Sequence, residues 1–412
     1  MDLKSRLSHL RSQAGAASGA CARKTSVDEL RARIARLEQK GRSASAGRPD
    51  TRATARMSDA ALAQRLDGEL IADGVIRVRA RLPLTGRLGA IALQTLQPSP
   101  PGLPGEMPAA AGAQVYIDTE TTGLSGGSGT LAFLVGTAVV GDQAIEVTQF
   151  LLTRFAAEAA LLSAFAASLP DAARLVSYNG KSYDLPLLLT RFRMQGLPCP
   201  VAGLPHTDLL HPVRRLFGNR WGDCRLLSVE KELLGFRRTD DLPGSEAPAA
   251  WFNWIRHGES DALIRVVEHN RQDIVSLAVA HSTLTQAVAE PLAFGVDIHA
   301  LARWLAPGDE DGARELLQAH VGQLCDDGKR LLARLLRRVG DWRRAVALWE
   351  SLAAAGCADS MECLAKYHEH ISRDLAAAQR CCDLLPRSVR QQIRRQRIDN
   401  KLAAPHRRRI QV

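Results

Sequence analysis

Asp118 and Glu120 stand two residues apart at the end of an apolar run, VYIDTETTG (residues 115–123), and the glycine-serine loop SGGSG (125–129) follows. A strand alternates its side chains, so both carboxylates share one face, about 7 Å apart. Two carboxylates on one face repel unless a cation lies between them, and a divalent metal with oxygen ligands is the natural compensation. Alone, the pair equally fits a solvent-facing strand edge. A third acid, Asp184, lies in YNGKSYDLP (178–186). There the turn at Asn179 and Gly180 redirects the chain, Ser182 is the expected N-cap, and Asp184 falls in the first turn of a helix at the sheet edge. It either joins the acidic pair or merely complements the helix dipole. His269 and Asp273, in HNRQD, are spaced by four on one face of a helix that continues IVSLAVA. Singly they read as a surface pair; their order and separation relative to the other acids argue for a joint role.

The elements that must position these residues occupy residues 114–290. Apolar runs at 115–117, 131–140 and 145–152 predict three strands in an antiparallel meander. A helix is expected over 156–169, a short buried strand over 174–178, a helix from about Ser182 and another over 261–285. Three strands, helix, strand, helix is the order of a ribonuclease H-like core, a mixed α/β sheet. A β-rich segment within 61–113, ELIADGVIRVRARLPL, precedes it and ends in a Pro-rich linker. After the core, alanine-rich helical pieces recur near a spacing of 33 residues, GDWRRAVALWESL (340–352) with RDLAAAQRCCDLL (373–385), and DGARELL falls roughly in step. Residues 295–390 therefore read as an all-α domain of tetratricopeptide-like repeats or as a plain helical bundle. Residues 1–60 read as a basic, disordered arm with a short amphipathic helix at 27–39, and 391–412 as a frayed basic tail.

DTETTG, YNGKSYDLPLL and HNRQDIVSLA together resemble the three motifs of the DEDD exonuclease superfamily. More closely, residues 114–284 resemble the YprB-type ribonuclease H-like domain, with HTDLLHPVRRLF, CRLLSVEKELLGF and DDLPGSEAP also in step. The resemblance implies that Asp118, Glu120, Asp184 and Asp273 bind two Mg²⁺ or Mn²⁺ ions and that the activity is 3′–5′ exonucleolytic. Two such ions roughly 3.5 to 4 Å apart activate water and neutralise the leaving 3′-oxygen. His269 would orient or deprotonate the water, or serve a structural role. It departs from the superfamily's pattern, because it is a histidine at the spacing where the tyrosine subgroup has tyrosine. Thr119, Thr121, Gly123, Asn179, Tyr183, Arg214 and Arg215 are candidates for substrate contact.

Arg237 and Arg238 are further candidates for phosphate, or belong to a solvated helix face. Trp251 and Trp254 either stack on a base or pack inside. Asp208 caps a helix or approaches the acids, and His206 and His211 are expected to be structural. The SGGSG loop either brings backbone amides to the terminal nucleotide or is an ordinary hairpin.

A net charge of +10 favours a polyanionic partner, DNA or RNA, although a basic tail alone could account for it. Eight cysteines without a CxxC pair argue against zinc and disulfide scaffolds and fit a reducing cytoplasm. No apolar h-region or bilayer-length run is present, so neither a secretory signal nor a membrane role is expected. Three readings remain: a metal-dependent nuclease whose repeats recruit a protein partner or extend the nucleic-acid surface, a scaffold that holds nucleic acid without cutting it, and a protein whose repeats carry the main role in protein assembly.

Overall fold

The computed structural model describes residues 56–97, 102–106, 112–123 and 129–409, with side chains described as far as residue 403. The arm at 1–55, with its amphipathic piece at 27–39, and most of the SGGSG loop lie outside the described residues, as does the end of the tail.

The meander forms as the strand signals dictate. β5 (Ala113–Thr121), β6 (Ala132–Val140) and β7 (Ala144–Leu152) pair antiparallel in sequence, and β8 (Ala173–Ser177) and β9 (His206–Asp208) add in parallel beyond β5. On the other side, β1 (Gly68–Ala72) and β2 (Val75–Pro83) extend the same sheet through β7. The result is a seven-stranded mixed sheet in the order β1-β2-β7-β6-β5-β8-β9. The β-rich segment is thus part of the sheet, and only the two short strands β3 (Arg87–Leu88) and β4 (Ile91–Ala92) pair apart from it.

The period of two in β5 divides the core. Val115 and Ile117 enter one apolar layer with α2 (Glu158–Ser168), α3 (Asp184–Met194) and α6 (Ala247–His257). Tyr116 enters the other with α4 (Leu210–Phe217), α5 (Leu226–Glu232) and the second half of α7 (Asp261–Ala289). Every residue from Ile274 to Thr285 of α7 is buried, as expected of a helix enclosed on all sides. Trp251 and Trp254 are packed inside, their indole N–H groups donating to the carbonyls of Leu152 and Thr153 at 2.6 and 3.2 Å. Base stacking by these two rings is ruled out by that burial.

The rest of the described chain is helical: α8 (Ile298–Leu305), α9 (Glu310–Ala319), α10 (Asp326–Arg338), α11 (Trp342–Ala354), α12 (Ala358–His370), α13 (Leu375–Asp383) and α14 (Val389–Arg409). The second helix of each successive pair starts on an aspartate whose side chain accepts from the backbone amide three residues on: Asp309, Asp341 and Asp374. These caps explain the near-33-residue spacing legible in the sequence. The tail departs from expectation by forming α14. Buried Glu369 draws Arg397 at 2.6 and 2.7 Å and Lys401 at 2.8 Å, while Ile398 closes a small core with Ala365, Ala378 and Cys382. Burial alone would push the Glu369 carboxyl up, but these cations hold it down at about 2. No described helix is long and apolar enough to cross a membrane.

The approach of α7 to the sheet depends on one glycine. Gly136 lies opposite Asp118 in the β5–β6 register, and a Cβ there would sit 2.2 Å from Asn270 Oδ1 and 2.3 Å from Ile274 Cδ1. Gly136→Ala should therefore destabilise the protein by about 1–3 kcal/mol through overpacking. Denaturant unfolding would measure this, and an unchanged midpoint would contradict the close contact.

Candidate active site

Asp118, Glu120, Asp184, His269 and Asp273 line one cleft of about 590 Å³, together with Thr119, Thr121, Gly123, Asn179 and Tyr183. The strand, the first turn of α3 and the middle of α7 converge there. β8 pairs with β5 only as far as Tyr116, which leaves the β5 edge free beside Asp118 to Thr121. Asp184 fills that gap and accepts from the Thr119 hydroxyl at 2.5 Å.

The turn that delivers Asp184 is held from an unexpected direction. Asp208, buried on β9, accepts from the amides of Asn179 (2.7 Å), Lys181 (3.1 Å) and Leu210 (3.1 Å). It ties the turn to the start of α4. The N-cap is Tyr183 rather than the expected Ser182, without a side-chain bond, and Asp184 is the first helical residue. Asn179 adopts φ 65° in the turn. Gly180 has no room for a side chain, since a Cβ would meet Ser177 Oγ at 2.4 Å. His206 hydrogen-bonds Ser177 at 2.7 Å, and burial drives its imidazole down to about 4, a structural histidine as expected. His211 is exposed.

On the opposite side Asn270, fully buried, donates to Asp118 Oδ2 at 2.7 Å and accepts from Gln149 at 2.8 Å. Asn270, Gly136 and Gln149 were missed at the sequence level. The available signal was a polar residue on the apolar side of an otherwise periodic helix.

His269 is fixed at both ends. Its Nδ1 lies 2.7 Å from Asp241 Oδ1, and its Nε2 lies 4.0 Å from Glu120 and 3.5 Å from Asp273. With Asp241 accepting the Nδ1 proton, the Nε2 lone pair faces the acids and can accept a proton there. Arg238 does not face solvent for phosphate. It lies inside, 6% exposed, bonded to buried Glu230 at 2.6 and 2.8 Å, to Asp241 at 3.1 Å and to Asp273. The segment DDLPGSEAP thereby supplies the carboxylate that aims His269. Arg237 is exposed, and neither Arg214 nor Arg215 lines the cleft; Arg215 stacks over Trp304 at 5.2 Å. Tyr183 stands 57% exposed at the rim.

The cleft is electrostatically frustrated. Burial, then Asp273, Asp184 and Glu120, push Asp118 well above the usual carboxylate range. Burial and the charges of Asp273, Asp184 and Asp241 raise Glu120 to about 8, and burial raises Asp184 to about 6 against the Thr119 bond. Among the described residues no group of three or more histidine, cysteine or acidic side chains is arranged as a ready metal site, and Asp273 is turned to Arg238. The donor set nevertheless fits a hard divalent cation: four carboxylates, all oxygen, with charge that lacks compensation at three of them.

A carboxyl raised in the folded state keeps its proton while the unfolded chain releases it, so stability falls as pH rises between the two pKa values. In EDTA, the melting temperature of wild type should fall relative to Glu120→Gln from about pH 4.5 to about pH 8. Parallel melting curves across that range would contradict the charge cluster.

A sequence model of the RNase_H superfamily matches residues 115–284. The uncharacterized protein YprB of Bacillus subtilis (strain 168) is 35% identical over 281 residues, 64% of this chain and 66% of that protein, so the match spans just under two thirds of the relative's length. A crystal structure of exonuclease I in complex with inhibitor BCBP aligns over 44% of this chain and 42% of that one, with 13% identity and a TM-score of 0.28, too small a likeness to carry an argument. With the sheet order and the family match in agreement, residues 115–284 belong to the ribonuclease H superfamily, and the chain is similar to YprB beyond that domain.

Proposed function

We propose that the protein is a metal-dependent nuclease, specifically a 3′–5′ exonuclease of DNA or RNA. The observation that carries this reading is the convergence of Asp118, Glu120, Asp184 and Asp273 with an oriented His269 in one cleft. Two Mg²⁺ or Mn²⁺ ions held by these four carboxylates would supply a nucleophile at neutral pH and neutralise charge on the departing oxygen. His269 Nε2 accepts the proton of the attacking water, and Asp241 holds the imidazole in the tautomer that permits this. The P–O3′ bond breaks, and the released nucleotide keeps its 5′-phosphate. Tyr183 offers an exposed ring against the terminal base. Residues 295–390 are read as tetratricopeptide-like repeats that extend the binding surface.

The Arg238–Asp273 ion pair favours a second reading, in which a guanidinium neutralises the third motif and the domain binds nucleic acid without cutting it. Degradation of 5′-labelled single-stranded DNA and RNA with Mn²⁺ or EDTA distinguishes the two. The nuclease reading predicts an Mn²⁺-dependent ladder shortening from the 3′ end, abolished in Asp118→Asn and Asp184→Asn. It also predicts a rate about 10²–10⁴-fold lower in His269→Ala, and about 10–100-fold lower in Asp241→Asn. Turnover unchanged in both aspartate variants overturns the site, and binding without cleavage in wild type selects the second reading.

A further inference from the structure

Outside the cleft, a group of arginines among the described residues lies on the helices that follow the ribonuclease H domain. A cavity of about 430 Å³ is lined by Arg303 of α8 and by Arg330, Arg334 and Arg337 of α10, over the nearly buried face of Trp349. The spacing of four and then three puts the α10 arginines on one face of the helix. Arg330 is committed to Asp327 and, at 3.6 Å, to Asp359. Arg303, Arg334 and Arg337 are exposed and make no side-chain hydrogen bond or ion pair among the described residues.

A second cavity beside it, of about 810 Å³, reaches the ribonuclease H domain. Arg303 lines this one as well, with Trp304 of α8 and Arg215 of α4. Asp309 lines it too, but its carboxylate caps α9. Arg215 lies over the Trp304 ring at 5.2 Å, which orders the guanidinium while leaving its edge to donate. A row of guanidinium groups, from Arg215 of α4 through Arg303 of α8 to Arg334 and Arg337 of α10, therefore lines two cavities that share Arg303.

We propose that this row is a second nucleic-acid site, in which Arg215, Arg303, Arg334 and Arg337 hold the phosphodiester backbone of the single strand whose end enters the cleft. The identity of the ligand rests on the nuclease reading. Repeated guanidinium groups without base-reading partners suit sequence-independent phosphate contact along the strand that the cleft of the same chain would process.

The test is fluorescence anisotropy of the full chain with labelled oligo(dT) and oligo(U), titrated with salt in EDTA so that no turnover is needed. Arg334→Glu combined with Arg337→Glu should weaken binding about tenfold and lower the slope of log K against log salt by about 1.4, the share of two single-strand phosphates. Arg343→Glu with Arg344→Glu, the same charge change on α11 outside both cavities, should bind as wild type does. Asp118→Asn should also retain binding, so loss of cleavage and loss of this site are read separately. Unchanged affinity and slope in the Arg334/Arg337 variant overturns the proposal, as does tighter binding of poly-glutamate than of the oligonucleotides.

Discussion

Asp118, Glu120 and Asp184 face one another in a cleft where burial strips away the water that would screen them, and Asp273 adds its charge from α7. Carboxylates held this way would drift apart on flexible supports. Here three of the four are pinned from behind: Asp118 by Asn270, Asp184 by the Thr119 hydroxyl, Asp273 by Arg238. The rest of the domain can be understood as the apparatus that keeps these pins in place. β6 must carry glycine where α7 crosses it, Gln149 must hold Asn270, and Asp208 must gather the amides of the turn before α3.

The same apparatus separates chemistry from support. The acids and the free nitrogen of His269 face the cleft, while Asp241, Glu230 and Arg238 stand behind them in a buried ionic network. A charge network of this kind contributes orientation more dependably than it contributes stability, because desolvation offsets much of the attraction. Its position behind the third motif makes Arg238 the natural counter-charge to Asp273 whenever no other cation is near.

The sheet and the acids were legible because they follow local rules. Apolar runs placed β6 and β7 to within a residue and marked the centre of β5, and helical spacing brought His269 and Asp273 to one face of α7. What escaped depends on contacts between segments far apart in sequence. Asp208 supports the turn before α3 from 27 residues away, and the carboxylates that claim Arg238 lie on three different segments. Buried Glu369 converts a basic tail, unremarkable by composition, into helix α14. Asn270 was passed over because its neighbours at 269 and 273 carry the more recognisable chemistry, although its burial is the firmer clue to function.

The helices beyond the domain repeat a single device, an aspartate N-cap on the second helix of each pair, and they carry exposed arginines that line two adjoining cavities. The two surfaces carry charge of opposite sign: carboxylates in the cleft, where the proposed cation would sit, and guanidinium groups on α8 and α10, where the proposed phosphate would run. The central claim is that the negative part is incomplete without divalent ions, and Mn²⁺ binding followed by electron paramagnetic resonance tests it most directly. The account predicts two Mn²⁺ per wild-type chain and loss of uptake in Asp118→Asn and Asp184→Asn. Absence of uptake by the wild type, or equal uptake by the variants, would contradict it.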